Sequence, residues 1–458
     1  MTTGTAAEPT AAESMATEST ATESTVTSGG AVFLARLESL RDTMEMPARA
    51  PVAMLAVATR CRIGAGTEAL AAMPAAERLH VLKLLVSAMA PSAALASLAR
   101  ATIFDASGHY RRAEPEMSER MLAVWSGATP EAAGWGDLTE VDRIVCITRL
   151  CAAGYPTAGD FEAFAASLPT DVDREALVVA WCRERTFTTD AAAAEAWVRL
   201  VSRPMARLEA MASLLARGQA SREVASEWIG DAEVAWKSAP RDNLGRALAD
   251  ARFSAVLSAA GDLASAEGLL GHALAGAESE NDPRERARIY RIALEAAAGL
   301  AIHDARGSAV EPWLRAVEKL TNDRTLLRHR ELFFEARADA VRTLRRAALS
   351  GGDSAVDRGH QVLKEMCRRL PERWLDLLHW ATIAHLQARS RRSTELMMST
   401  LGDALRKEGL PRPIPAVTLD EIAKLLLPAE AERVLAIGDK ITHPVQRALW
   451  WASAAPFA

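Results

Sequence analysis

No Cys-x-x-Cys pair occurs among the five cysteines, Cys61, Cys146, Cys151, Cys182 and Cys367. That absence argues against a disulfide framework and against a structural zinc site. Each thiol is therefore expected to be buried and reduced, and no metal site is expected. Nor does any uninterrupted apolar run reach the roughly 18–20 residues needed to cross a bilayer. The first thirty residues contain no Lys or Arg and no apolar core, so no secretory leader is visible. Together these absences point to a cytoplasmic chain without membrane partners. Alternating runs of Val, Ile, Thr and Tyr between turn signals are missing, which leaves strands with little support. The phosphate loop Gly-x-x-x-x-Gly-Lys-Ser/Thr, the zinc helix His-Glu-x-x-His and the elbow Gly-x-Ser-x-Gly are absent as well. Gly64-Ala65-Gly66 follows a predicted helix rather than a strand and reads as a helix stop. No cofactor and no catalytic constellation are expected, and the chain reads as a non-enzyme.

What is present fits an all-α protein. The 458 residues are 49% hydrophobic and 25% charged, with aromatics at only 5%. Apolar area comes chiefly from Ala, Leu and Val, and the small side chains suit close helix–helix packing. That length exceeds one ordinary core, so either several domains or one elongated array is expected. Arg greatly outnumbers Lys, which a GC-rich bacterial genome explains without any ligand. The net charge of -5 is concentrated at the start. Residues 1–30 carry Glu8, Glu13, Glu18 and Glu23, with Ala-Thr-Glu-Ser-Thr repeated at 16–20 and 21–25. Such a segment has too little apolar surface to offset its ordering entropy, so a disordered acidic tail is expected.

Helical periodicity begins near Ala31 with Val32, Phe33, Leu34, Leu37 and Leu40. An irregular N-terminal helical region is expected over 31–188, loosest at 106–137, where Gly and Pro cluster. From about 189 the rhythm is regular, with helices at 205–217, 221–237, 243–260, 263–277, 283–301, 307–320, 324–349, 354–369, 372–388 and 393–408. Asp282-Pro283-Arg284-Glu285 is a start signal with a cap, a first-turn Pro and a capping-box Glu. Pro411-Arg412-Pro413-Ile414-Pro415 predicts an extended connector. The region 411–458 is then a Pro-rich connector followed by closing helices.

The unit 243–277 carries Phe253, Leu257, Gly261, Ala266, Leu270 and Ala273. Their spacing resembles a tetratricopeptide repeat. The match departs where Asp250 replaces Trp, where Ser254 replaces Gly, and where Pro283 comes late. Ala225/Ile229/Ala232 and Ala309/Trp313/Ala316 repeat its small–large–small pattern, and Gly359, Leu363, Met366 and Pro371 keep part of it. The resemblance covers about 189–408 and implies a tetratricopeptide-like α-solenoid of helical hairpins over 189–410. It also implies a protein-binding scaffold or adaptor.

The candidate chemistry is sparse. Asp376 and His379 share a helix face and could form an acid–base or metal pair, with His385 pointing elsewhere. Their neighbours Trp374, Leu377, Leu378 and Trp380 instead favour a buried helix with hydrogen-bonded histidines. Trp313, Trp374 and Trp380 sit at core spacing. Trp450-Trp451 diverge by about 100° on a helix, so one is expected to be exposed. From Arg324 to Arg412 there are 18 Lys or Arg against 11 Asp or Glu, an excess of 7. Arg345, Arg346, Arg368, Arg369, Arg391 and Arg392 are its candidate contact residues. The first reading of this excess is an ordinary solvated face, with Glu331 and Glu335 offset by arginines such as Arg328 on the same helix; as a binding surface, an acidic protein segment is the expected partner and nucleic acid the lesser alternative.

Overall fold

The computed structural model describes residues 29–184, 191–216, 221–303, 310–369, 378–379, 381–383, 385–386, 422–423, 425–426, 431–441 and 443–458. The acidic tail, except Gly29 and Gly30, lies outside the described residues, as do Asp376, Trp374, Trp380, Arg391, Arg392 and the Pro411–Pro415 connector. Among the described residues there is no strand, only an isolated antiparallel bridge between Phe104 and Tyr110. None of the described helices is long and apolar enough to cross a membrane.

The helices run in chain order as follows. First come α1 (29–42), α2 (Arg49–Arg62), α3 (Glu68–Ala71), α4 (Ala75–Leu85), α5 (Ala93–Ile103), α6 (Met117–Trp125) and α7 (Glu140–Ala152). Then follow α8 (Phe161–Ser167), α9 (Asp171–Glu184), α10 (Ala191–Leu200), α11 (Pro204–Leu215), α12 (Arg222–Lys237), α13 (Asn243–Ala260) and α14 (Leu263–Ser279). Last are α15 (Pro283–His303), α16 (Val310–Asn322), α17 (Arg324–Arg328), α18 (Arg330–Arg369), α19 (Ala431–Asp439) and α20 (Pro444–Ala454).

Contacts divide the chain into two compact units, Met1–Val81 with Ser399–Ala458, and Leu82–Met398. In the first, α20 packs on α2 and on α19. Trp450 and Trp451 are both buried, which corrects the expectation of one exposed indole. A helix gripped by two partners has two covered faces, so adjacent residues can both point inward. Trp450 donates Nε1–H to the Val434 carbonyl at 2.8 Å, and Trp451 fills the space left by the missing side chain of Gly438.

In the second unit, local sequence sets the helix starts. Ser92, Thr139, Ser221, Asp242 and Asp262 each accept a backbone N–H from the first turn of α5, α7, α12, α13 and α14 respectively, satisfying donors that the helix cannot. Asp282 does the same at α15, accepting from Arg284 N at 2.8 Å. Between α13 and α14, Gly261 holds φ at 96°, a left-handed turn that favours glycine, and Asp262 starts the next helix at once.

The packing order is regular. The helices α9, α11, α13 and α15 lie side by side in sequence, and α15 also packs on α18. α12 packs on α11 and α13, α14 on α13 and α15, and α16 on α15 and α18. The core is therefore built from hairpins whose first helices neighbour one another. α13 is buried throughout from Ala247 to Ala259. Trp181, Phe161 and Trp197 form an aromatic cluster joining α8, α9 and α10, with Phe161 and Trp197 stacked at 3.9 Å.

Helical hydrogen bonding continues across Arg330–Arg369, yet this is not one straight rod. A Cβ on Gly359 would lie 2.3 Å from Leu344 Cδ1, whereas a straight helix holds these residues roughly 22 Å apart. The axis therefore reverses between them. That reversal brackets the Ser350-Gly351-Gly352-Asp353 break read in the sequence. Trp313 of α16 is wedged against both limbs, donating to Thr343 Oγ1 at 2.9 Å on the outgoing limb and touching Gly359 on the returning one.

Candidate functional site

The arginines that give the sequence its character are largely used to join helices. Arg143 of α7 pairs with the fully buried Asp173 of α9 at 2.9 Å. Arg203, at the start of α11, pairs with Glu175 of α9, whose carboxylate also accepts from Ser202 N, Ser202 Oγ and Arg203 N. Burial raises the Glu175 pKa, but these bonds outweigh it and hold the group at about 2. Arg252 of α13 pairs with Glu209 of α11. Burial pushes the Arg252 guanidinium below its ordinary value, and Glu209 opposes that shift. Second helices are joined the same way: Arg315–Glu267 at 3.3 Å and Lys319–Glu278 at 2.7 Å link α16 to α14, and Arg358–Glu311 links α18 to α16.

The expected basic face must be judged against this pairing. Arg345 is exposed on α18. Arg368 and Arg369 are exposed, but both reach Glu365, and Arg369 also donates to the Thr321 carbonyl at 3.4 Å. Arg346 lies on the backbone of α18, its side chain outside the described residues, as are Arg391 and Arg392 altogether. Arg342 bonds Asp339 at 3.1 Å.

His379 is buried and lies 3.2 Å from His360, Nε2 to Nδ1, so that one ring donates to the other. Burial first, then His360, Arg337 and Lys364, push the His379 pKa down to about 3; burial likewise lowers His360. Both rings are neutral near pH 7. Asp376, the other half of the candidate pair, is outside the described residues. Among the described residues no group of three or more His, Cys, Asp or Glu could hold a metal ion.

A cavity of about 560 Å³ opens where α14, α15, α16 and α17 meet. Its floor is a fixed polar cluster that sequence reasoning missed. Asp323 accepts two bonds from Arg286 Nη1 at 3.0 and 3.1 Å and one from Tyr290 Oη at 3.2 Å. It also caps α17 through Thr325 N and Leu326 N. Arg286 completes its own set by donating to the carbonyls of Glu278 and Glu280. Burial and the neighbouring Asp323 raise the Tyr290 pKa, so the phenol stays protonated. The one available signal was Asn322-Asp323-Arg324-Thr325, an Asx start before a helix. The cavity walls carry Arg315, Lys319 and Arg324 against Glu278 and Glu318.

The fold and this site define an all-α protein of paired, packed helices, compatible with a helical-repeat architecture. Compared with protein-family profiles, curated proteins and solved structures, the chain matches none.

Proposed function

We propose that this chain is a non-enzymatic protein-interaction scaffold of tetratricopeptide-like hairpins, holding a partner segment on a helical-repeat surface. The observation that carries this reading is the packing order: each first helix, from α11 through α13 and α15 to α18, borders the next first helix, with a second helix folded beside it. Stacked hairpins of this kind form extended surfaces suited to a chain segment. The small residues of the best-matched unit support it too. Ala266 and Ala273 are fully buried beside Leu270, the places where the repeat pattern calls for close approach. The partner is expected to be acidic.

The test is affinity capture of the full chain from its host, with and without nuclease, followed by mass spectrometry. A reproducible protein partner that survives nuclease supports the scaffold. Retention of nucleic acid alone, or of nothing, refutes it. A catalytic reading around Asp376 and His379 has one specific support, the His360–His379 hydrogen bond. Turnover or bound metal lost in His379→Ala would establish it in place of the scaffold.

A further inference from the structure

The positive charge of the basic segment is not evenly available. Arg342, Arg358, Arg368 and Arg369 have carboxylate partners. Arg324, Arg328 and Arg330 are exposed; Arg330 lies over the Phe334 ring at 5.8 Å, and among the described residues no ion pair is formed by any of the three, whereas their neighbours Lys319 and Arg342 are paired. All three sit at the corner between α16 and α18, where Glu331 is the sole exposed acidic residue from 324 to 334. Arg324 also lines the 560 Å³ cavity beside Lys319 and Arg315. Among the described residues Lys319 pairs across the cavity wall with Glu278, at 37% and 49% exposure. Exposed pairs of that sort contribute little, about 0–1 kcal/mol, so a competing carboxylate can exchange with Glu278. Beneath them the floor of Asp323, Arg286 and Tyr290 is self-satisfied and fixed, and it presents no unpaired charge to the ligand.

We propose that this α16–α18 corner is a docking site for an acidic protein segment, which lays carboxylates along Arg324, Arg328 and Arg330 and inserts one side chain into the adjoining cavity. It rests on the scaffold reading and names where the partner is held. Charge complementarity selects the occupant. Nucleic acid is disfavoured, because tight phosphate tracking uses about 6–10 cationic contacts and Glu278 and Glu318 stand in the cavity wall. Among the described residues the cavity's aromatic ring, Tyr290, is fully buried and offers no stacking face.

Fluorescence anisotropy of a labelled oligoglutamate peptide with the full chain tests it. Binding is expected, weakening steeply as salt rises. The triple variant Arg324→Glu/Arg328→Glu/Arg330→Glu should weaken it by about tenfold or more, a change of about 1.4 kcal/mol or more. The milder Arg→Gln triple, which adds no repulsion, should lose an intermediate amount. The control Lys237→Glu, an exposed cation at the end of α12, should bind as the wild type does. Undiminished binding by the Glu triple, no binding by the wild type, or tighter binding of oligouridylate than of oligoglutamate would each overturn the site. Capture of the native partner by the Glu triple would remove this docking site and leave the scaffold standing, whereas wild-type protein that captures no partner removes the scaffold itself.

Discussion

Replacing Asp323 by Ala removes five bonds at once from the corner of α15, α16 and α17. Two come from Arg286, one from Tyr290, and two from the backbone of α17. The carboxylate side chain is 2% exposed and its guanidinium partner 12%. Breaking a buried pair by deleting one member costs about 3–5 kcal/mol, because the other charge is left uncompensated. Loss of an Asp cap alone costs about 1 kcal/mol. The terms overlap in one side chain and do not add in full. Arg286 also keeps its bonds to the Glu278 and Glu280 carbonyls, which softens the loss. Asp323→Ala should therefore destabilise by about 3–4 kcal/mol. Asp323→Asn keeps one capping oxygen and the side-chain volume, and should cost about 1–3 kcal/mol. Because a chain of two compact units need not unfold in one step, hydrogen exchange resolved by peptide is the appropriate assay, read over Pro283–Arg330. Protection should fall there first and most, with urea unfolding as a second readout. If Asp323→Ala stays within about 0.5 kcal/mol of wild type, the range of an ordinary surface change, the cluster does not hold this corner together.

Three further outcomes follow from the same geometry. His379 has its pKa lowered from 6.5 to about 3 in the folded chain, so the unfolded state binds the extra proton between those values. Stability conferred by the neutral ring should be complete above about pH 6.5 and fall by up to about 1.4 kcal/mol per unit as pH drops toward 3. His379→Gln should flatten that slope in acid unfolding curves, and an unchanged slope would contradict the burial. Cys61 and Cys146 are buried and pushed up to about 11 by that burial, so iodoacetamide at pH 8 should label them only after denaturation. Labelling as fast as free cysteine would show them accessible. Trp313→Ala removes a fully buried indole and its bond to Thr343, and should cost about 3–5 kcal/mol in urea unfolding.

What was legible in the sequence is local. Asp282-Pro283 announces a helix start because a capping side chain needs only its own next three residues, and the helices expected from about 221, 243 and 263 begin beside the caps Ser221, Asp242 and Asp262. The hairpin around Gly261 is legible for the same reason. What was not legible depends on distant partners. Arg286 meets Asp323 and Arg252 meets Glu209 each across one intervening helix, so a tally of basic residues could not say which charges are neutralised. The sidedness of Trp450-Trp451 failed on a different point: periodicity assumes one covered face, and α20 is gripped by both α2 and α19.

The ion pairs across the second helices also act as keys. α16 turns Arg315 and Lys319 toward Glu267 and Glu278 of α14, and Glu311 toward Arg358 of α18. The α15–α16 hairpin is thus fitted to its own predecessor and successor. A hairpin with other charges in its place would leave Glu267, Glu278 and Arg358 without these partners, and a like charge opposite any of them would be repulsive. Units keyed in this way cannot be shuffled, duplicated or swapped between copies without rewriting both neighbours. On the scaffold reading, individually fitted hairpins of this kind are what would leave a repeat pattern clear at 243–277 and faint elsewhere.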